Sequence, residues 1–371
     1  MKIIADENIP FLRGVAEHFG EVEYIAGSDF SNIRVRNADT LIIRTVARMD
    51  ETMLKNTNVK LICSATIGYD HIDTAYCEAH GITWKNAPGC NSSSVQQYIV
   101  SSLLVLSQQK GFDLKNKTIG IVGVGNVGKK VAKACEILGM TVLLNDPPRE
   151  EAEFDNDCFV PLELIKEQAD IITFHTPLIR EGRFKTYHLG DTEFFNTLGK
   201  KPVIINSARG AIIDTQAIKK AIEEGKISAS IIDCWENEPN IDIEYLNMVD
   251  IATSHIAGYS ADGKAKATRM ALSSVANYYK MDKSPIESIN PPAPADPIID
   301  LNKLDQNKRI ESAILATYNP LVDFENLKSS PELFKQLRNE YPLRREYPAY
   351  MVVGASDDER QLLNKFDFRL G

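Results

Sequence analysis

The cysteines of this chain never come close enough together in sequence to do joint chemistry. Cys63, Cys77, Cys90, Cys135, Cys158 and Cys234 form no C-x-x-C pair and no cluster with histidine, which leaves a zinc site without ligands and buried thiols as the expected role. No disulfide is expected either, because 371 residues can bury cores large enough to need no covalent staple. An excess of positive charge is missing too: 42 lysines and arginines face 51 aspartates and glutamates, for a formal charge of −9. Nucleic acid and anionic membrane are therefore excluded as main partners, and any basic site must be local. Long apolar runs are also lacking. The opening "MKIIADENIPFLRG" has one lysine and then acids, with no stretch suited to a signal peptide, and no later stretch approaches a membrane span. These absences predict a multi-domain cytoplasmic protein.

What the chain does contain is repeated alternation of short β-rich runs with helical patterns. "KIIA", "PFLRGVAEHFG", "VEYI", "TLIIR" and "KLICSAT" predict a parallel sheet with crossover helices, complete by about residue 90. The helical stretch "SVQQYIVSSLLVLSQQ" follows, with Asn91 or Ser92 as its cap. A second series then runs through "TIGIVGVG", "TVLLND", "DIITFHTP", "PVIINSARG", "ASIIDCWENEP" and "DIATSHIAGYS", apolar strands that end in polar or glycine residues. Beyond a further helical stretch, "SPIESINPPAPADPIID" places five prolines in seventeen residues, which predicts an extended linker over 284–300.

Gly123, Gly125 and Gly128 form G-x-G-x-x-G directly after the strand "TIGIV" and at the opening of a helix. In that context the glycines supply a tight turn, close approach of backbone to a pyrophosphate, and close packing of helix on strand. The helix amino terminus adds free N–H groups and a positive dipole end. The next strand ends at Asp146, near the spacing expected for the acid that accepts from the ribose hydroxyls and repels a 2′-phosphate. NAD is therefore favoured over NADP. The competing role for Asp146 is to start the turn with Pro147 and Pro148.

"INSARG", "DCWENEP" and "SHIAG" place Arg209, Glu238 and His255 just beyond three apolar strands. Oxidation of a 2-hydroxy acid requires a base for the hydroxyl proton, a cation for the carboxylate and carbonyl oxygen, and a nicotinamide to accept hydride. His255 suits the first task, with Glu238 orienting its ring and favouring its charged form, and Arg209 suits the second. Singly, each has an ordinary structural explanation; jointly, at strand ends, they predict a catalytic site.

With "HTPL" at 175–178, these segments resemble the D-2-hydroxyacid dehydrogenase family. That family interrupts its substrate domain with the nucleotide domain, which accounts for a glycine turn so far into the chain. The resemblance implies an α/β protein with two doubly wound parallel-sheet domains of Rossmann or flavodoxin type and a smaller C-terminal α+β dimerisation domain. The implied boundaries are 1–90 with 259–283 for substrate, 91–258 for NAD, and 301–371 for dimerisation. "ADENIP", "IIRTVAR", "SATIGYDHID", "KTYHL", "HIAGYSADGKA" and "YPLRRE" narrow it to a branch that oxidises a phosphorylated four-carbon sugar acid at C2 during pyridoxal phosphate synthesis. It implies substrate contacts at Thr45, Thr66 and Tyr259, and cofactor contacts at Asn126, Val127, Asp146, Thr176, Ser207, Asp233 and Gly258 beside the glycines. No metal is implied. Ser260 stands where threonine is usual, and His175 is expected in the cofactor wall.

With the dimerisation domain that the resemblance implies, a homodimer is expected, in which one or both of Arg344 and Arg345 of the tract "LRNEYPLRREYPAYMVVG" help bind the substrate phosphate, across the interface or within one chain, or else form salt bridges to carboxylates. Two alternatives remain open at this stage. One is a dehydrogenase of another phosphorylated acid, such as 3-phosphoglycerate, and the other is a non-catalytic NAD-sensing corepressor.

Overall fold

Apolar, β-branched runs form the strands of three parallel sheets among the described residues. The computed structural model describes residues 1–153 and 158–371. These residues divide into two compact units, Met1–Asn91 with Ser260–Ala293 and Ser92–Tyr259 with Pro294–Gly371.

In the first unit, β1 (Lys2–Asp6), β2 (Glu21–Ile25), β3 (Thr40–Ile43), β4 (Leu61–Ser64) and β5 (Thr83–Lys85) pair in the order β2-β1-β3-β4-β5. All the pairings are parallel, and β3 and β4 are buried throughout, as a sheet covered on both faces requires. The helix Ala261–Tyr279 belongs to this unit. Ser260 caps it by accepting from the Gly263 N–H at 2.8 Å, and Ala265, Ala271 and Ala276 let it lie close to Ile3, Ile42 and Leu61. Two expectations change here. "PFLRGVAEHFG" yields only a 3-10 turn at Ala16–Phe19, because Phe11 and Gly14 take φ of 62° and 84° and interrupt a helix. The proline-rich stretch is not wholly a linker. Its Ser284–Ser288 segment is a 3-10 turn, and Ile286 and Ile289 insert into this unit's core.

The second unit opens with the helix Ser92–Lys110, whose buried surface runs almost all round from Val95 to Leu106. Its main sheet comprises β6 (Thr118–Val122), β7 (Thr141–Asn145), β8 (Ile171–Phe174), β9 (Val203–Asn206), β10 (Ala229–Ile232) and β11 (Ile251–Ala252). The order is β11-β10-β9-β8-β6-β7, with every pairing parallel. The order reverses between β6 and β8, and a ligand crevice forms outside the carboxyl ends of strands at such a point.

The last residues of the chain build a small parallel sheet, β12 (Ile298–Asp300), β13 (Met351–Val353) and β14 (Arg369–Leu370). The helix Asp357–Lys365 between β13 and β14 starts with a Ser356/Glu359 capping box. This small sheet is not isolated from the Rossmann domain. Tyr318, Val352 and Phe366 share a core with Tyr98 and Leu103, while Phe324, Leu327 and Phe334 pack with Ile204, Ile232 and Trp235.

Candidate active site

Strand β10 is followed directly by Asp233, whose carboxylate organises the turn that follows β11. One oxygen, Oδ1, accepts from the Thr253 hydroxyl at 2.6 Å and from the Ile256 and Ala257 N–H groups at 2.7 and 3.1 Å. Between those residues His255 takes a left-handed φ of 58°, a conformation that costs a non-glycine residue energy and persists only when its surroundings fix it. Asp233 was expected as a cofactor contact; it is 1% exposed and its oxygens hold the histidine turn.

The ring of His255 is oriented by Glu238. His255 Nδ1 donates to Glu238 Oε2 at 2.8 Å, and Glu238 Oε1 accepts the Trp235 N–H at 2.9 Å. Burial alone would raise the Glu238 carboxyl; the His255 bond and charge, the Trp235 N–H and the nearby Arg338 outweigh it and hold the group below the ordinary glutamate value. An ionised Glu238 only accepts, so Nδ1 carries the proton and Nε2 is the basic nitrogen. Cys234 lies close to this pair, and burial pushes its thiol well up, so it is neutral.

Arg209 follows β9, one strand over. Asn206 shapes its loop, accepting the Ala208 N–H at 3.2 Å and donating to the Arg209 carbonyl at 2.9 Å. Gly210 must be glycine, since a Cβ there would fall 1.9 Å from the Trp235 carbonyl oxygen. Both residues belong to the site's support and were missed in the sequence, although the N-S-A-R-G pattern contained them.

The glycine turn has the three properties its motif requires. Gly123 takes φ of 93°, a Cβ on Gly128 would meet the Gly123 carbonyl oxygen at 2.1 Å, and Gly125 faces open space. Gly125 and Asn126 are exposed at the amino end of the helix Asn126–Ile137, with Val127 half-buried behind them. Asp146 fills its expected turn-starting role. Its Oδ1 caps the helix Pro147–Ala152 through Arg149 N–H at 3.2 Å, and its Oδ2 accepts the Val124 N–H of the glycine turn at 2.8 Å. The Thr176 and Ser207 hydroxyls, beyond β8 and β9, are buried with no hydrogen-bond partner among the described residues. Polar atoms in that condition fit a site completed by a polar cofactor. Burial drives the neighbouring His175 ring down to about 3, which keeps it neutral and suits a wall rather than a proton carrier.

Thr45 and Thr66 lie in the first unit, just beyond the carboxyl ends of β3 and β4. Thr45 is exposed, and Thr66 Oγ1 shares a 2.7 Å hydrogen bond with Ser64. The C-terminal arginines are both buried. Arg344 is 6% exposed, and its Nη2 donates to Ser94 Oγ and to the Ile256 and Ala257 carbonyls, the latter at 2.6 Å. Its guanidinium also stacks 4.4 Å from the Tyr318 ring. Arg344 therefore braces the histidine turn from inside, while its Nε and Nη1 are buried with no hydrogen-bond partner among the described residues. Arg345 is 8% exposed, and its carbonyl accepts from the Gln97 amide at 3.0 Å. A further arginine near the Glu238–His255 pair is Arg338, which carried no signal in the sequence. Its Nε donates to Tyr259 Oη at 3.0 Å.

Against known proteins, the sequence model of the D-isomer specific 2-hydroxyacid dehydrogenase NAD binding domain matches residues 94–257. A domain of unknown function matches 291–366. A Bacteroides thetaiotaomicron protein named erythronate-4-phosphate dehydrogenase is 52% identical over 355 residues, spanning 95% of this chain and 99% of its own. Proteins of the same name from Porphyromonas gingivalis and Escherichia coli are 45% and 36% identical, each over 99% of this chain and 98% or more of their own. Among solved structures, NAD-bound 3-phosphoglycerate dehydrogenase of Entamoeba histolytica superposes with a TM-score of 0.63 at 26% identity, covering 76% of this chain and 95% of that one. Formate dehydrogenase of Staphylococcus aureus in complex with NAD, with a TM-score of 0.61 at 24% identity over 76% of this chain and 98% of its own, shares the fold. With the glycine cradle, the acid after β7 and the histidine–glutamate pair in place, the chain belongs to the erythronate-4-phosphate dehydrogenase family of D-isomer specific 2-hydroxyacid dehydrogenases.

Proposed function

We propose that the protein oxidises 4-phospho-D-erythronate at C2 to 2-oxo-3-hydroxy-4-phosphobutanoate with NAD, a step of pyridoxal 5′-phosphate synthesis. The observation that carries the chemistry is the 2.8 Å hydrogen bond from His255 Nδ1 to an ionised Glu238. That bond fixes the tautomer, so Nε2 is the nitrogen that accepts the C2 hydroxyl proton. Arg209 binds the substrate carboxylate and polarises the C2 oxygen through its fork of donors. Thr45, Thr66 and Tyr259 are the proposed substrate contacts.

Gly123, Gly125, Asn126, Val127, Gly128, Asp146, Thr176, Ser207 and Gly258 would hold NAD, which supplies the hydride acceptor when bound. Gly125 leaves room for a pyrophosphate, the Thr176 and Ser207 hydroxyls supply unused polar atoms, and Asp146 supplies the ribose carboxylate. The substrate identity rests on relatives of that name that match nearly end to end. The resemblance also supports a homodimeric assembly.

The test is NADH formation with a panel of phosphorylated and unphosphorylated 2-hydroxy acids. The phosphorylated four-carbon acid should give the highest kcat/KM. Preference for 3-phosphoglycerate, or no turnover with any acid, would overturn the assignment.

A further inference from the structure

The helix Phe334–Asn339 brings a second cation to the catalytic pair. Arg338 Nη1 lies 3.7 Å from Glu238 Oε2, the same oxygen that accepts from His255 Nδ1 at 2.8 Å. The guanidinium is fixed on its other side by its bond to Tyr259 Oη and by contact with that ring at 5.7 Å from the centroid. One carboxylate oxygen therefore serves an imidazole and a guanidinium at once. We propose that Arg338 is a positioning residue that limits how strongly Glu238 stabilises protonated His255, and so keeps the imidazole in the neutral form that accepts the substrate proton.

The physical argument has two parts with the same sign. A permanent positive charge beside the imidazole disfavours a second positive charge on the ring. The guanidinium, in charge contact at 3.7 Å and not hydrogen-bonded, also offsets part of the field that Oε2 exerts on the imidazole. Without Arg338, an ionised Glu238 would act on His255 alone, and a ring held protonated is not a base. Other titratable and charged groups near the pair, among the described residues, include Arg209, Asp233, Cys234 and Tyr259. Cys234 is neutral, and the oxygens of Asp233 hold the histidine turn. Arg344 fixes the same turn through the Ile256 and Ala257 carbonyls, so the backbone under His255 is anchored independently of Arg338.

This inference builds on the dehydrogenase reading, and its test is chosen so that it can fail separately. The His255 ring signal of the NAD-loaded enzyme, identified by its loss in His255→Asn, is followed by NMR across a pH titration in the parent, Arg338→Gln and Arg338→Lys. No substrate enters that measurement. In Arg338→Gln the midpoint should rise by about one pH unit, and in Arg338→Lys, which keeps the charge, it should stay near the parent value. The acidic limb of kcat/KM should move up with the ring midpoint. A midpoint unchanged in Arg338→Gln overturns the proposal. So does a raised KM with no change in the titration, which would make Arg338 a ligand of the substrate's anionic groups.

Discussion

A carboxylate bound to an imidazole couples catalysis to pH, and Glu238 makes that coupling testable residue by residue. His255→Ala removes the proposed base and should lower turnover by about a hundredfold or more while NADH still binds, measured by initial rates and by fluorescence titration. Glu238→Gln should shift the acidic limb of the profile downward, because His255 loses the charge that favours its protonated form. The same group ties stability to pH. Its carboxyl lies below the ordinary value in the fold, so the stability it contributes is complete above the unfolded glutamate's range and is lost as pH falls through the folded value. Melting temperatures across the acid range should therefore fall less steeply for Glu238→Gln than for the parent. The strand-end placement of Arg209, Glu238 and His255 was legible in sequence because each follows an apolar strand in a short polar motif, and their catalytic roles are proposals. Arg338 and Arg344 were not, since "LRNEYPLRRE" gives no local sign of which arginine reaches the histidine turn, and only the packing of the chain's last residues assigns them.

At the level of elements, the glycine turn separates positions that serve the fold from positions that serve the ligand. Gly128→Ala places a Cβ against the Gly123 carbonyl and should destabilise the protein by about 1–3 kcal/mol, read by denaturant melts. Gly125 has an ordinary φ of −76° and open space beside it, so Gly125→Ala should leave stability within about 0.5 kcal/mol of the parent while weakening NAD binding by on the order of tenfold. Equal affinity for NAD in both proteins would mean that the open space is not the pyrophosphate site. Asp146 needs the gentler substitution, because it also caps the helix Pro147–Ala152. Asn loses the charge and keeps one acceptor oxygen, enough for either the cap or the Val124 N–H, so Asp146→Asn should narrow the preference for NAD over NADP at a cost of about 1 kcal/mol in stability. The strands and the turn could be read from periodicity and glycine spacing. The 3-10 turn at Ser284–Ser288 could not, because proline content signals an extended path while Ile286 and Ile289 respond to a core that only the fold supplies.

On the scale of the whole molecule, the terminal region has two duties that sequence alone makes separate. It carries the proposed dimer contacts, and it also completes the Rossmann domain, since Phe324, Leu327 and Phe334 lie in a core with Ile204, Ile232 and Trp235. Removing residues 294–371 would expose that core. Each large apolar side chain taken from water contributes roughly 1.5–3 kcal/mol, so the loss of these three alone is comparable to the 5–15 kcal/mol that holds an ordinary domain together. Arg344 would be lost as well, leaving the Ile256 and Ala257 carbonyls without their donor and the strained turn at His255 with less to fix it. Truncation should therefore give an unfolded or insoluble chain that does not bind NAD, and it cannot report on dimerisation by yielding a working monomer. Sedimentation of the intact protein is the proper measure of assembly, with a homodimer expected. A fragment of residues 1–293 that stayed soluble, melted cooperatively and bound NAD would show that the terminal residues serve assembly alone, and the structural duty assigned to them here would be wrong.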